Sequence, residues 1–340
     1  MSGYKVKSLY PGAGIIVTYK CSAACLHCCY SSSPARSGEY MSKQTAGRIF
    51  SLLGKMGCGS VHIGGGEPFL NFGKLLEVCR SAAEHRVFVD YIETNASWYT
   101  DEAAVLTKLQ KLKEAGVDCL LLSVDPFHNE FVAYGKLKEL EKCCRKTGMG
   151  TFIWQSKFER IVSQMDENTT HGIPEYEDIF GKGFVKKIAE SYGLGYNGRA
   201  LGILEKIEKN RYPAEYFVGD SDVCQTRITS LGHFHVDLNE DLIPPSCNGF
   251  RANVFELCGE GLECDKYKYF TAVQKGGLGL FFKEAQKLGF VPKEAGYVSK
   301  CALCFDMKKF VSGAVRMKTG REAADIGPAE FFGESQNQQQ

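Results

Sequence analysis

"AGIIVTYKCSAACLHCCYSSS", residues 13–33, runs from an apolar stretch straight into four cysteines within nine positions. Its first seven residues, rich in β-branched and apolar side chains, read as a buried strand. Cys21, Cys25 and Cys28 then follow at intervals of four and three, with Cys29 beside the last. That spacing would line one face of a helix. Ser and Ala surround the thiols, however, where a core stripe would carry Leu and Ile, so a simple buried face fits poorly. A structural zinc needs a fourth ligand, His27 or Cys29, and adjacent residues rarely reach one ion together. The third reading is an iron–sulfur cluster on three thiolates, with one iron left open for a ligand that is not protein.

Working outward, short apolar runs alternate with helix-period stretches. Strands are expected at 60–63, 86–93, 117–125 and 150–156, and helices at 42–57, 71–85, 101–115 and 135–147, the first with Ser42 as N-cap. This βαβα rhythm is that of a parallel sheet covered by helices, open or curled into a barrel. The polar segment 157–178 breaks it and reads as a lid or insertion, and 179–200 adds one more helix and a strand. Near residue 216 the character changes. Residues 228–247 read as strand, Asn-Glu-Asp turn and strand, a hairpin flanked by Cys224 and Cys247, followed by a helix at about 270–288 and then by Cys301 and Cys304. The expected division is 1–215, 216–316 and a flexible tail, 317–340, ending in the low-complexity "GESQNQQQ".

Bulk composition narrows the function class. Lys and Arg total 41 against 40 acids, a net of +1, with no long block of either sign, so no nucleic-acid or lipid surface is expected. No apolar run approaches the ~20 residues of a membrane helix, and the N-terminus lacks a signal-peptide pattern. Fifteen cysteines without a secretory signal point to metal or redox chemistry in a reducing cytoplasm.

Cys21-Ser-Ala-Ala-Cys25-Leu-His-Cys28 resembles the C-x-x-x-C-x-x-C signature of the radical S-adenosylmethionine (radical SAM) enzymes, with His27 in the aromatic-like place before the last cysteine. "GGGEPFL" (64–70), after the second strand, resembles the family's Gly-Gly-Glu motif. The resemblance implies a partial (βα)6 barrel and an oxygen-sensitive [4Fe–4S] cluster on Cys21, Cys25 and Cys28 whose open iron takes S-adenosylmethionine. It also places Gly64, Gly65, Gly66, Glu67, Thr94, Asn95, Ser123, Asp125 and Arg199 (in "NGRA") near the cofactor. Each strand-end residue has a plainer reading as a turn or helix cap, and Arg199 as a surface ion pair.

Cys224, Cys247, Cys301 and Cys304 resemble the SPASM/twitch extension of that family, which implies one auxiliary [4Fe–4S] cluster. Cys258 and Cys264 are further candidates, and zinc stays open as the metal. The other thiols, Cys58, Cys79, Cys119, Cys143 and Cys144, read as buried small residues. His233 and His235 share one strand face and read as exposed or as neighbours of the auxiliary group.

The implied function is reductive cleavage of S-adenosylmethionine and hydrogen abstraction from a small-molecule or short-peptide substrate, with flavodoxin or ferredoxin as electron donor. With 20 residues before Cys21, a leader-binding domain is not expected there. Maturation of a ribosomal precursor peptide is the alternative, and a non-catalytic iron–sulfur carrier or sensor is the alternative of another class. Glu93, Asp125, His128, Trp154 and Lys157 are pocket candidates at strand ends; no catalytic acid or base is assigned.

Overall fold

The computed structural model describes residues 4–9, 12–195, 197–219, 222–245 and 247–333. Strands are β1 (Ala13–Ile16), β2 (Ser60–Gly64), β3 (Phe88–Thr94), β4 (Cys119–Leu122), β5 (Gly150–Ile153), β6 (Phe234–Asp237), β7 (Asp241–Ile243) and β8 (Ala252–Asn253). The first helices are α1 (Lys43–Lys55), α2 (Phe72–Glu84), α3 (Glu102–Glu114), α4 (Pro126–Asn129), α5 (Tyr134–Thr147), α6 (Glu159–Val162), α7 (Ile173–Phe180) and α8 (Phe184–Tyr192). They are followed by α9 (Ala200–Ile207), α10 (Ala214–Val218), α11 (Asp222–Thr229), α12 (Val254–Cys258), α13 (Lys268–Lys287) and α14 (Lys300–Thr319).

The chain packs as two compact units. One comprises 12–26 and 32–193; the other gathers 4–9, 27–31 and the described residues of 194–333. The packing boundary thus falls after Gly193. Among the described residues, no helix is long and apolar enough to cross a membrane.

In the first unit β1 to β5 are parallel and lie side by side in chain order, each pair joined through a helix. The rhythm read from the sequence is therefore the fold. Ser42 caps α1 by accepting from Thr45 N, as expected. One sheet face carries Ile15, Ile63, Ile92, Leu120 and Leu122, all buried, as a helix-covered parallel face must. The opposite face is mixed: His62, Tyr91, Glu93 and Phe152 share it. There His62 stacks on Tyr91 and Phe152 meets Tyr91 edge-on, while Phe152 stays 38% exposed. A parallel sheet with one polar, open face is suited to line a cavity.

Segment 157–178, expected as a lid or insertion, contributes α6 and the start of α7, with Phe158, Val162 and Tyr176 buried. In the second unit β6 and β7 form the expected antiparallel hairpin, His235 opposite Ile243, turning through Glu240 at φ 65°. The first hairpin strand starts later than expected, at Phe234 and not near 228, because residues up to Thr229 belong to α11, the helix that carries Cys224. The expected tail is packed over its described part, where Ala323, Ile326, Phe331 and Phe332 are buried; residues 334–340 lie outside the described residues.

Candidate functional site

In the first unit the loop after β1 carries Cys21 and Cys25, both buried. Two N–H groups point at the Cys21 sulfur: Ala23 N at 3.4 Å and Asn95 Nδ2 at 3.6 Å, ordinary lengths for the larger sulfur atom. Donors to sulfur favour the thiolate, the form that binds metal. Asn95 reaches it from the end of β3. The turn there is held open by Ala96 in the left-handed region, φ 62°, a costly conformation for a residue with a Cβ. Thr94 Oγ1 accepts from Ala96 N and Asn95 Oδ1 from Ser97 N, which locks the turn.

The glycine motif after β2 holds the same loop from the other side. Gly66 N donates to Thr18 O at 2.7 Å and Glu67 N to Lys20 O at 2.9 Å. A Cβ on Gly65 would lie 2.4 Å from Thr18 O, and one on Gly66 only 1.9 Å from Lys20 O. Only glycine permits that approach. The close contact that these glycines make is thus with the chain's own cysteine loop. Gly64 is tight for another reason, since its Cβ would lie 2.8 Å from Glu93 Oε2.

Glu67 is fully buried and accepts from Phe69 N, Thr94 Oγ1 and Asn95 N at 3.1, 3.0 and 2.8 Å. Burial pushes its carboxyl up to about 7 against those donors. Its side chain therefore ties the glycine motif to the end of β3. Asp125 is similarly engaged: it caps α4 by accepting from Phe127 N and His128 N, and its second oxygen lies 2.7 Å from His128 Nδ1. Tyr192 OH adds a longer contact to it at 3.4 Å. Burial pulls the His128 imidazole down, but the Asp125 charge and hydrogen bond leave it raised on balance. Cys25 and His128 bring ligand atoms within 4.8 Å of each other, a pairing no local motif announces.

Ser123 N bonds Thr94 O, and Ser123 lines a small cavity with Asp125, His128 and Asn129. Glu93 faces the mixed sheet side, 3.6 Å from His62, and desolvation raises its carboxyl. Trp154 is 54% exposed beyond β5, and Lys157 is drawn aside to Ser191 O.

In the second unit the carbonyls of Cys28 and Cys29 are gripped from two places. Arg199 N donates to Cys28 O at 3.0 Å, and Asn248 Nδ2 to Cys29 O at 3.4 Å. Gly198, at φ 55°, sits where a Cβ would fall 2.5 Å from Cys28 O. Both of these contacts from "NGRA" are made by its backbone. Asn248, next to Cys247, was not singled out by sequence; only its adjacency to a cysteine marks it.

The same unit brings Cys224, Cys247, Cys301 and Cys304 into one electrostatic neighbourhood. Burial pushes the Cys304 thiol up to about 12, with Lys308 opposing and Cys301, Cys247 and Cys224 adding to the rise. Cys247 is pushed up to about 11 by burial, again against Lys308 and with Cys301 and Cys224. Cys301 and Cys304 are three residues apart on the first turns of α14, so one helix face presents both. Cys258 and Cys264 meet other partners: Cys258 lies beside Lys5 and Tyr4, and Cys264 accepts from Lys275 Nζ at 3.3 Å. His233 and His235 pack edge-on against each other, and His235 against Tyr30.

Residues 15–150 match the model of the Radical SAM superfamily, and this span of the chain is a radical SAM domain. A [4Fe–4S] cluster and S-adenosylmethionine are the cofactors of that superfamily, and the donors at Cys21 suit a thiolate ligand of the former. The chain is 24% identical over 127 residues to "Putative peptide biosynthesis protein YydG" of Bacillus subtilis (strain 168), covering 37% of this chain and 40% of that protein. Among solved structures, Streptococcus suis SuiB bound to S-adenosylmethionine is similar at TM-score 0.40 and 14% identity, over 72% of this chain and 63% of that one. Native anSMEcpe with bound AdoMet is similar at TM-score 0.40 and 16% identity, over 91% and 98%. BtrN in complex with AdoMet and 2-DOIA gives 0.41 and 14%, over 81% and 91%.

Proposed function

We propose that this protein is a radical SAM enzyme that functionalises a C–H bond of a peptide substrate. The observation that carries the first part is the thiol of Cys21, buried with two N–H donors aimed at it, inside a domain of that superfamily. Cys21, Cys25 and Cys28 would hold the cluster. When bound, S-adenosylmethionine supplies, on one-electron reduction, a carbon radical able to take a hydrogen atom from substrate.

The chain's own part is positioning and protection. Gly65, Gly66 and Glu67 fix the cysteine loop against β2 and β3, so the thiols are set before any ligand arrives. Asp125 holds Nδ1 of His128, whose ring brings a ligand atom within 4.8 Å of that of Cys25. The mixed sheet face offers His62, Glu93 and open aromatic surface at Phe152, with Trp154 exposed just beyond β5, a lining that suits a peptide's apolar side chains beside its polar backbone. The name carried by the Bacillus subtilis relative supports a peptide over a small molecule. The four cysteines of the second unit are proposed to hold one auxiliary [4Fe–4S] cluster.

Anaerobic reconstitution with iron and sulfide, then dithionite and S-adenosylmethionine, should release 5′-deoxyadenosine. A peptide substrate deuterated at the reacting carbon should pass deuterium into it. A chain that takes up iron but releases no 5′-deoxyadenosine would sink the enzymatic reading in favour of an electron carrier.

A further inference from the structure

Lys308 lies one helical turn beyond Cys304 on α14, on the face that carries that thiol. It is 3% exposed, and lysine is almost never buried to that degree without a partner for its charge. Its ammonium donates to the main-chain carbonyl of Asn248 at 2.5 Å and stands 5.1 Å from the centroid of the Phe250 ring. Gly249, at φ 91°, leaves it room, since a Cβ there would lie 3.2 Å from Nζ. Among the described residues no carboxylate makes an ion pair with it. A carbonyl and a ring face attract a cation but do not neutralise it. Two thiols lie within its electrostatic reach, Cys247 and Cys304, one on each of two segments that carry the four cysteines, and on binding a metal each would become a thiolate of opposite sign.

We propose that Lys308 is the resident counter-charge of the site made by Cys224, Cys247, Cys301 and Cys304, pinning the Cys247 turn to α14 and making the group bound there easier to reduce. This rests on the four-cysteine reading above. Four thiolates carry more negative charge than an iron–sulfur core carries positive, and an added electron deepens the excess. A fixed cation in buried surroundings therefore favours the reduced state. The bond to Asn248 O holds the turn that follows Cys247, so one side chain supplies both charge and registration.

The test uses the full chain, reconstituted anaerobically and titrated with dithionite under EPR. The signal lost in Cys301→Ala/Cys304→Ala belongs to this site. Lys308→Met keeps the length of the stem without the charge, and Lys308→Arg keeps the charge. Lys308→Met should lower the reduction equilibrium constant of that signal about tenfold, roughly 59 mV for one electron, while Lys308→Arg stays near the parent. Equal potentials in all three chains, or equal shifts in both variants, overturn the assignment, the latter because packing alone would then explain them. If Lys308→Met loads too little iron, Co²⁺ titration of the metal-free chains decides instead. About tenfold weaker binding by the Met variant than by the Arg variant supports the inference, and equal binding overturns it. A parent chain without any signal that Cys301 and Cys304 support overturns the four-cysteine reading and this inference together. A shift absent while that signal is present overturns this inference alone.

Discussion

Gly66→Ala separates two reasons for a glycine at the mouth of a cofactor site. If glycine is there to let a ligand approach, the metal-free protein should be indifferent to the methyl group. The structure puts that methyl 1.9 Å from Lys20 O and 2.4 Å from Lys20 C, where real Cβ contacts essentially never fall under 3.0 Å. Both neighbours are backbone, so nothing flexible can swing aside, and the cysteine loop must retreat by about 1 Å. Such a retreat strains the bonds from Gly66 N to Thr18 O and from Glu67 N to Lys20 O. Overpacking of this kind costs ~1–3 kcal/mol, and weakening two hydrogen bonds adds about 1 kcal/mol each, for an expected loss of about 3–5 kcal/mol. Urea unfolding of the metal-free chain reads it directly. Gly54→Ala is the control: nothing lies within 4 Å of its Cβ, and in the last turn of α1 the change should stabilise by less than the ~1 kcal/mol of a helix interior. Iron uptake by Gly66→Ala should fall as well, because Cys21 adjoins the displaced Lys20. A Gly66→Ala chain within about 0.5 kcal/mol of the parent would refute the packing argument and return the motif to the ligand.

Asn95→Ala removes one of the donors at Cys21 Sγ, and chelator competition should show about tenfold weaker iron retention at the N-terminal triad. Glu67 gives a pH signature. Its folded carboxyl sits at about 7 against an ordinary 4.5, so the native state holds the proton longer. Stability should then decline as pH rises from about 4.5 to 7, by about 3 kcal/mol at most, and Glu67→Gln should flatten that part of the profile in urea midpoints; unchanged slopes would discard the buried-carboxyl account. Replacing both Cys301 and Cys304 by Ala should lower bound iron by about four atoms per chain, measured by metal analysis, and an unchanged count would remove the auxiliary cluster.

Much was legible in the sequence because it is written in periods and spacings. The run before Cys21, the helix capped by Ser42 and the alternation through residue 153 follow from local hydrophobic pattern, which the parallel sheet merely collects. The cysteine triad shows in residue type and interval, but these left a buried face, a zinc site and an iron–sulfur cluster open until the family resemblance was added. Tertiary structure decided what those pieces touch. No local signal says that Gly65 and Gly66 face Thr18 and Lys20, nor that the Glu67 carboxylate is engaged by Thr94 and Asn95 across two strands. The same holds for the meeting of Cys25 with His128, for Cys224 on a helix, and for a lysine buried within electrostatic reach of Cys247 and Cys304. A side chain's partners are set by how distant segments pack. Packing depends on the whole chain burying its apolar faces at once, and a short window of sequence does not contain that information.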